Sequence, residues 1–282
     1  VKAALVTGAG RRLGRAMALY LAGRGWDVAV HYSNSGDEAA GVVAEITAMG
    51  RRAVVLGADL LDEAACAALI PRAAEALGPL RLLVNNASIF EPDTMLSATK
   101  ASWDRHIGSN LRAPFLLIQQ FARQCPPALT DAAGERLAQG LVVNMIDQRV
   151  LNPGPDFTTY TLAKMALWGL TQTAAQGLAP AIRVNAIGPG PTLIGPGQSV
   201  QEFQTERGGT LLQRGVGTGD LTAALGFLID SPGVTGQLIA VDGGQHFGPR
   251  QGAATGGAVG GPQSAGGPGA GAATGPRTAQ GL

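Results

Sequence analysis

Short, nearly continuous apolar runs alternate with longer amphipathic stretches along most of the chain. Ala3–Thr7, Asp27–His31, Ala53–Leu56, Leu80–Val84, Leu141–Met145, Ile182–Ile187 and Gln237–Val241 are the short runs, the pattern of strands covered on both faces. Between most of them lie Leu13–Gly23, Ser35–Met49, Asp62–Leu77, Ser102–Gln124, Thr159–Leu178 and Thr218–Leu228, whose apolar positions recur at helical spacing. Strands separated by helices predict parallel crossovers. The fold class is therefore α/β: a doubly wound, seven-stranded parallel sheet flanked by helices. Ligands of such sheets sit at the carboxyl ends of the strands, so the residues just after each strand matter most.

Two segments interrupt the alternation. Pro126–Gly140 is polar and contains proline, which predicts a surface loop. Pro189–Gly215 is rich in Gly, Pro and Gln and follows a strand, the usual place for a lid over a site. Residues 1–246 make up the predicted domain. Residues 247–282 are Gly, Ala, Pro, Thr and Gln with almost no large apolar side chain. Such a segment cannot bury enough surface to offset its ordering entropy, so a disordered tail is expected rather than a second domain.

Composition removes several function classes. Lys+Arg 21 against Asp+Glu 20 leaves a net charge of +1, and no basic run occurs; a nucleic-acid surface needs clustered cationic excess. Cys66 and Cys125 have neither metal-ligand nor redox spacing and are expected to be reduced and buried. No metal is expected. The first residues read as a strand, so no signal peptide is expected, and no apolar run approaches the ~20 residues of a membrane span. A soluble, cytoplasmic enzyme acting on a small molecule fits best.

The strongest local signal is Thr7-Gly8-Ala9-Gly10-Arg11-Arg12-Leu13-Gly14, between the first strand and the first helix. A helix start preceded by glycines offers free N–H groups and a positive dipole end to a pyrophosphate. Gly8 permits the tight turn and Gly14 close helix–strand packing. The second strand runs into Tyr32, Ser33, Asn34 and Ser35 without an acidic residue. A carboxylate there would repel a 2′-phosphate, so its absence, with Arg11 and Arg12 nearby, favours NADPH over NADH. Asp59 and Leu60 end the third strand, where a carboxylate can accept from an adenine amine. Asn85, Asn86, Ala87 and Ser88 end the fourth, close to where a nicotinamide ribose would lie.

Tyr160 and Lys164 stand one helical turn apart on one face. A free phenol with a pKa of about 10 is a poor acid–base near neutrality, and an adjacent cation lowers that value. The glycine turn, Asn85–Ala87, Asn110, the Tyr160/Lys164 pair and Pro189-Gly190 together resemble the short-chain dehydrogenases/reductases, over residues 1 to about 246. The resemblance implies a Rossmann fold and an NAD(P)H-dependent oxidoreductase that commonly assembles as a homotetramer through the helices around Ser102–Gln124 and Thr159–Leu178. It implies Tyr160 as proton donor, Lys164 as the group that orients the nicotinamide ribose and lowers the Tyr160 pKa, and Asn110 as holder of a relay water. Cofactor contacts would come from Gly8, Arg11, Arg12, Leu13, Tyr32, Ser33, Asn34, Ser35, Asp59, Leu60, Asn86, Ala87, Ser88, Lys164, Pro189, Gly190 and Thr192.

Two departures from the family pattern resemble one branch of it, the pteridine reductases and bacterial dihydromonapterin/dihydrofolate reductases. Arg12 replaces the middle glycine of the turn, and Asp147 replaces the usual serine thirteen residues before the tyrosine. His31–Ser35, the Asn85–Phe90 segment and Gly188–Thr192 resemble the same branch. That likeness implies Phe90 stacked on a pterin opposite the nicotinamide, with Arg12, Ser88, Asp147 and Tyr160 around the substrate. Reducing a C=N bond requires a proton on a weakly basic nitrogen, which a carboxyl with a burial-raised pKa can supply. The branch can carry an arginine after the second strand, where this chain has Asn34. A carbonyl or 3-oxoacyl reductase and a noncatalytic nucleotide-binding protein remain alternatives at this point.

Overall fold

The computed structural model describes residues 2–195 and 197–248. In chain order the elements are β1 (Ala3–Val6), α1 (Arg12–Gly23), β2 (Asp27–Tyr32), α2 (Gly36–Ala48), β3 (Ala53–Gly57), α3 (Glu63–Leu77), β4 (Leu82–Asn85), α4 (Lys100–Ile107) and α5 (Ala113–Gln124). They continue with β5 (Leu129–Thr130), β6 (Arg136–Leu137), β7 (Gly140–Met145), α6 (Thr158–Leu178), β8 (Ile182–Pro189), α7 (Val200–Gly208), α8 (Thr218–Asp230) and β9 (Leu238–Val241). The main sheet has seven strands in the order β3-β2-β1-β4-β7-β8-β9, and every pairing within it is parallel. This is the doubly wound Rossmann arrangement expected from the sequence. Chain direction across the sheet reverses between β1 and β4, the switch point where such folds bind ligands.

Alternation along β1 shows how the sequence builds two cores. Ala4 and Val6 face α1, α2 and α8, packing with Met17, Leu21, Val42, Ile46 and Leu225. Ala3 and Leu5 face α3 and α5, packing with Leu69, Ile70, Leu117 and Phe121. Leu5 and Val6 are fully buried, each contributing roughly 2 kcal/mol of transfer free energy. Cys66 is buried and Cys125 half-buried, and both are free thiols. No helix among the described residues is long and apolar enough to cross a membrane.

Three expectations change. The stretch Ser102–Gln124 is not one helix: α4 and α5 are separated by a π-helical turn at Gly108–Arg112. There Asn110 is buried, and its amide bonds both peptide groups of Ile89, accepting from Ile89 N at 2.9 Å and donating to Ile89 O at 2.8 Å. An extra residue in the turn aims that side chain at the loop after β4. The loop Pro126–Gly140 contains the small antiparallel hairpin β5–β6. The segment Pro189–Gly215 contains α7, which Ser199 and Glu202 start with a capping box. The expected tail lies outside the described residues, apart from Phe247 and Gly248.

Candidate active site

The glycine turn is held from three sides. Gly8 has φ +62°, a left-handed conformation that glycine adopts without strain. A Cβ on Gly14 would stand 2.1 Å from the Gly8 carbonyl oxygen, so α1 packs on the turn only because none is there. The Gly8 N–H donates to His31 Nδ1 at 3.1 Å. Asn86 donates through Nδ2 to the Thr7 carbonyl at 2.8 Å, while Asn86 N and Ala87 N both donate to Thr7 Oγ1 at 2.9 Å. Arg12 has φ +53°, which accounts for glycine being the family's usual residue there. Its guanidinium reaches across the cleft to the carbonyls of Ile194 and Leu193, at 2.8 and 3.3 Å.

His31, marked in the sequence only as part of a motif, braces this turn. Because Gly8 donates to Nδ1, the ring proton sits on Nε2 and donates to the Ala58 carbonyl at 3.1 Å. Burial lowers its pKa to about 4.

The ends of β2 and β3 hold the residues expected around an adenosine. Ser33 and Asn34 are exposed, Tyr32 is half-buried and Ser35 is buried. Arg11 reaches Asn34 Oδ1 at 3.4 Å and faces Glu38 of α2 at 3.7 Å, which puts a cation beside the end of β2, with its nearest carboxylate on the first turn of α2. Asp59 is exposed and accepts from Leu61 N through one oxygen, next to buried Leu60.

At the centre, Tyr160 donates its hydroxyl proton to Asp147 Oδ2 at 2.8 Å, and the other carboxyl oxygen accepts from Arg149 N at 2.8 Å. Burial raises the Asp147 pKa against the lowering effect of these bonds. Burial, and then the Asp147 charge, hold Tyr160 well above the ordinary phenol value. The Lys164-lowered phenol expected from the sequence is therefore not what these groups produce. Lys164 lies over the Tyr160 ring, 5.6 Å from its centroid, and donates to the Met145 carbonyl at 2.8 Å. Burial lowers its own pKa to about 8.

A cleft of about 650 Å³ runs past these groups. Arg12, Leu13, Asn86, Ser88, Phe90, Asp147, Tyr160, Lys164, Pro189, Gly190 and Thr192 line it, so the structure gathers these predicted residues in one place. Gly8, Arg11, Tyr32, Ser33, Asn34, Ser35, Asp59, Leu60, Ala87 and Asn110 are not on its wall. Phe157, Arg149 and the α7 residues Glu202, Phe203 and Glu206 also line it and were missed. Phe157 stacks on Phe90 with ring centroids 4.2 Å apart and planes 5° from parallel, and Phe90 meets Tyr160 edge-on at 4.7 Å. Part of the Phe90 surface expected to receive a substrate ring is thus covered by Phe157. An aromatic three residues before Tyr160 was the available signal for it.

These residues fit a dinucleotide. The N-terminus of α1 has no side-chain cap and no acidic residue in its first turn, leaving its N–H groups to an anion. Gly190 lets the end of β8 pack on Asp242, whose Cα would stand 2.6 Å from a Cβ there, and Gly190 itself lines the cleft. Lys164, a three-proton donor, has a single protein acceptor among the described residues.

Comparison with known proteins adds a separate line of support. The family profile described as short chain dehydrogenase matches residues 2–204. The chain is 34% identical over 252 residues to the 3-oxoacyl-[acyl-carrier-protein] reductase FabG of Staphylococcus aureus (strain N315), covering 87% of this chain and 98% of that protein. It is 32% identical over 278 residues to pteridine reductase 1 of Leishmania tarentolae, covering 86% and 95% respectively. Among solved structures, the FolM alternative dihydrofolate reductase 1 from Brucella suis in complex with NADP superposes with a TM-score of 0.82. That match has 40% identity and covers 89% of this chain and 97% of the other.

Proposed function

This chain belongs to the short chain dehydrogenase family of oxidoreductases, and from that premise we propose that it is an NADPH-dependent reductase of a pterin or folate C=N bond. The observation that carries this reading is the carboxyl of Asp147, hydrogen-bonded to Tyr160 at 2.8 Å where the family usually has a serine. A hydroxyl suffices to bond a carbonyl oxygen, whereas a ring nitrogen requires an acid. The likeness to a pteridine reductase and to an NADP-bound alternative dihydrofolate reductase supports the same choice. The similarity to a 3-oxoacyl reductase favours a second reading, carbonyl or 3-oxoacyl reduction, which gives Asp147 no chemical task.

In the proposed mechanism, NADPH would supply the hydride when bound. Gly8, Leu13 and the α1 N-terminus would hold its pyrophosphate. Arg11, Tyr32, Ser33, Asn34 and Ser35 would take the 2′-phosphate, and Asp59 and Leu60 the adenine. Asn86, Ala87, Ser88, Pro189, Gly190 and Thr192 would hold the nicotinamide half, and Lys164 its ribose. Burial biases Asp147 toward its acid form, and Tyr160 keeps its proton at the same oxygen. The pair therefore protonates the ring nitrogen, and Lys164 and Asn110 are assigned to its resupply. Phe90 and Phe157 supply the aromatic wall that holds a flat ring in reacting geometry, with Ser88 and Arg12 at its edge. A homotetramer and a cytoplasmic location complete the proposal.

A substrate panel tests it. Oxidation of NADPH is expected with dihydrobiopterin, dihydromonapterin or dihydrofolate, and not with ketones or 3-oxoacyl thioesters. The reverse pattern would establish the second reading. Binding of NADPH without turnover on either set, unchanged by Tyr160→Phe, would leave a noncatalytic binding protein. Asp147→Ser is expected to lower pterin turnover by roughly 100-fold or more with NADPH affinity unchanged; an unaltered rate removes Asp147 from the proton path.

A further inference from the structure

Tyr160 lies in the first turn of α6, so its position is the position of that turn. The turn has no cap of its own: Phe157, at the N-cap, has φ +57° and makes no side-chain cap bond. Its amides are taken up by a residue far away in the chain. The Asp93 carbonyl accepts from Phe157 N at 2.7 Å, and Asp93 Oδ1 accepts from Thr159 N at 3.1 Å. Asp93 Oδ2 accepts the Thr159 hydroxyl proton. On its other side, Thr159 Oγ1 lies 2.7 Å from His106 Nδ1. The far ring nitrogen, Nε2, accepts from Glu91 N at 3.2 Å.

Those partners set the His106 tautomer. Glu91 N–H has only a proton to give, so Nε2 is bare and Nδ1 carries the hydrogen. That hydrogen faces Thr159 Oγ1, whose own hydrogen goes to the Asp93 carboxylate; Ser102 adds a main-chain partner to the His106 ring and a side-chain partner to the carboxylate. The chain runs in one direction and is closed to water: Asp93 is 7% exposed, His106 0% and Thr159 2%. His106 also stands edge-on to the Tyr160 ring, with centroids 6.0 Å apart. The charged groups facing it are Asp93, Glu91 and Arg105, the last two paired with each other at 2.7 Å. Asp93 and Glu91 belong to the loop that carries Ser88 and Phe90.

We propose that Asp93, Thr159 and His106 form a positioning unit that locks Tyr160 to the substrate loop, and that it works only with His106 neutral and protonated on Nδ1. The proposal rests on Tyr160 being the proton donor of the reading above. None of the three is a catalytic residue; they act through the first turn of α6. Displacement of a reacting group by about 1 Å costs on the order of 100-fold in rate. Replacing the carboxylate by an amide would put a donor against Thr159, reverse the chain, and set a protonated Nε2 against Glu91 N–H.

The test has kinetic and spectroscopic arms, both on the full chain. Thr159→Val is expected to lower kcat by 10-fold to 100-fold with the KM and Kd for NADPH unchanged, and Thr159→Ser to restore it. Asp93→Asn is expected to match that loss, with the double variant no worse than either single one. Nitrogen-15 spectra of the imidazoles need no turnover. They are expected to show His106, assigned by its loss in His106→Asn, protonated on Nδ1, with His31 protonated on Nε2 as an internal contrast. In Asp93→Asn the His106 pattern is expected to change. A His106 protonated on Nε2 in the unaltered protein overturns the proposal, as does a kcat loss that Thr159→Ser fails to restore. Turnover lost in Tyr160→Phe but kept in Thr159→Val overturns this proposal alone, whereas turnover kept in Tyr160→Phe overturns the role of Tyr160 itself.

Discussion

At the scale of single residues, burial decides more than charge pairing. Lys164 stands close to two acidic groups, yet its pKa falls to about 8 because the ammonium is fully enclosed. The free protein therefore loses that charge within an accessible pH range. The profile of kcat/KM for NADPH, which reports the free enzyme, is expected to fall on its alkaline side with an apparent pKa of about 8. A flat profile to pH 10 would mean that Lys164 does not hold the cofactor as a cation. Tyr160, Lys164 and Asp147 were legible in the sequence because helical spacing and strand ends bring them together locally. Asp93 and His106 were not, because their link to Thr159 closes across 66 and 53 residues. Only the folded chain pairs them.

At the scale of elements, strands and helices were more legible in the sequence than their interruptions. Hydrophobic period continues through Ser102–Gln124, so nothing in it marks the π turn that aims Asn110 at Ile89. In the lid segment the Gly and Pro residues masked α7, whose polar surface has no buried residue to set a period. One strand end makes a measurable contribution. Near the end of β2 lies His31, which must stay neutral to accept from Gly8. A histidine with pKa about 4 folded and 6.5 unfolded binds fewer protons in the native state between those values. Its stabilisation is thus complete above pH 6.5 and declines as pH falls toward 4, by up to about 3 kcal/mol. Urea midpoints measured across that window are expected to fall with pH, and His31→Gln to flatten the trend. An identical slope in the variant would assign the acid sensitivity elsewhere.

At the scale of the whole molecule, two faces concern what lies beyond the single chain. Trp103, Phe115, Leu162 and Met165 are large apolar side chains left exposed on α4, α5 and α6, the helices through which the proposed tetramer would form. Light scattering of the purified protein is expected to give four copies, and a monomer at micromolar concentration would refute that assembly. The other face is the mouth of the cleft. Arg12 holds the lid segment by the carbonyls of Leu193 and Ile194, and Arg207, on α7 within that segment, ties its start at the Pro191 carbonyl to the Val216 carbonyl just beyond its end. Every one of these fastenings grips main chain. The Leu193 side chain, which lines the cleft, can therefore change without breaking the Arg12 fastening, so under the proposed reading the range of rings accepted would be free to drift, or to be redesigned, independently of Asp147 and Tyr160.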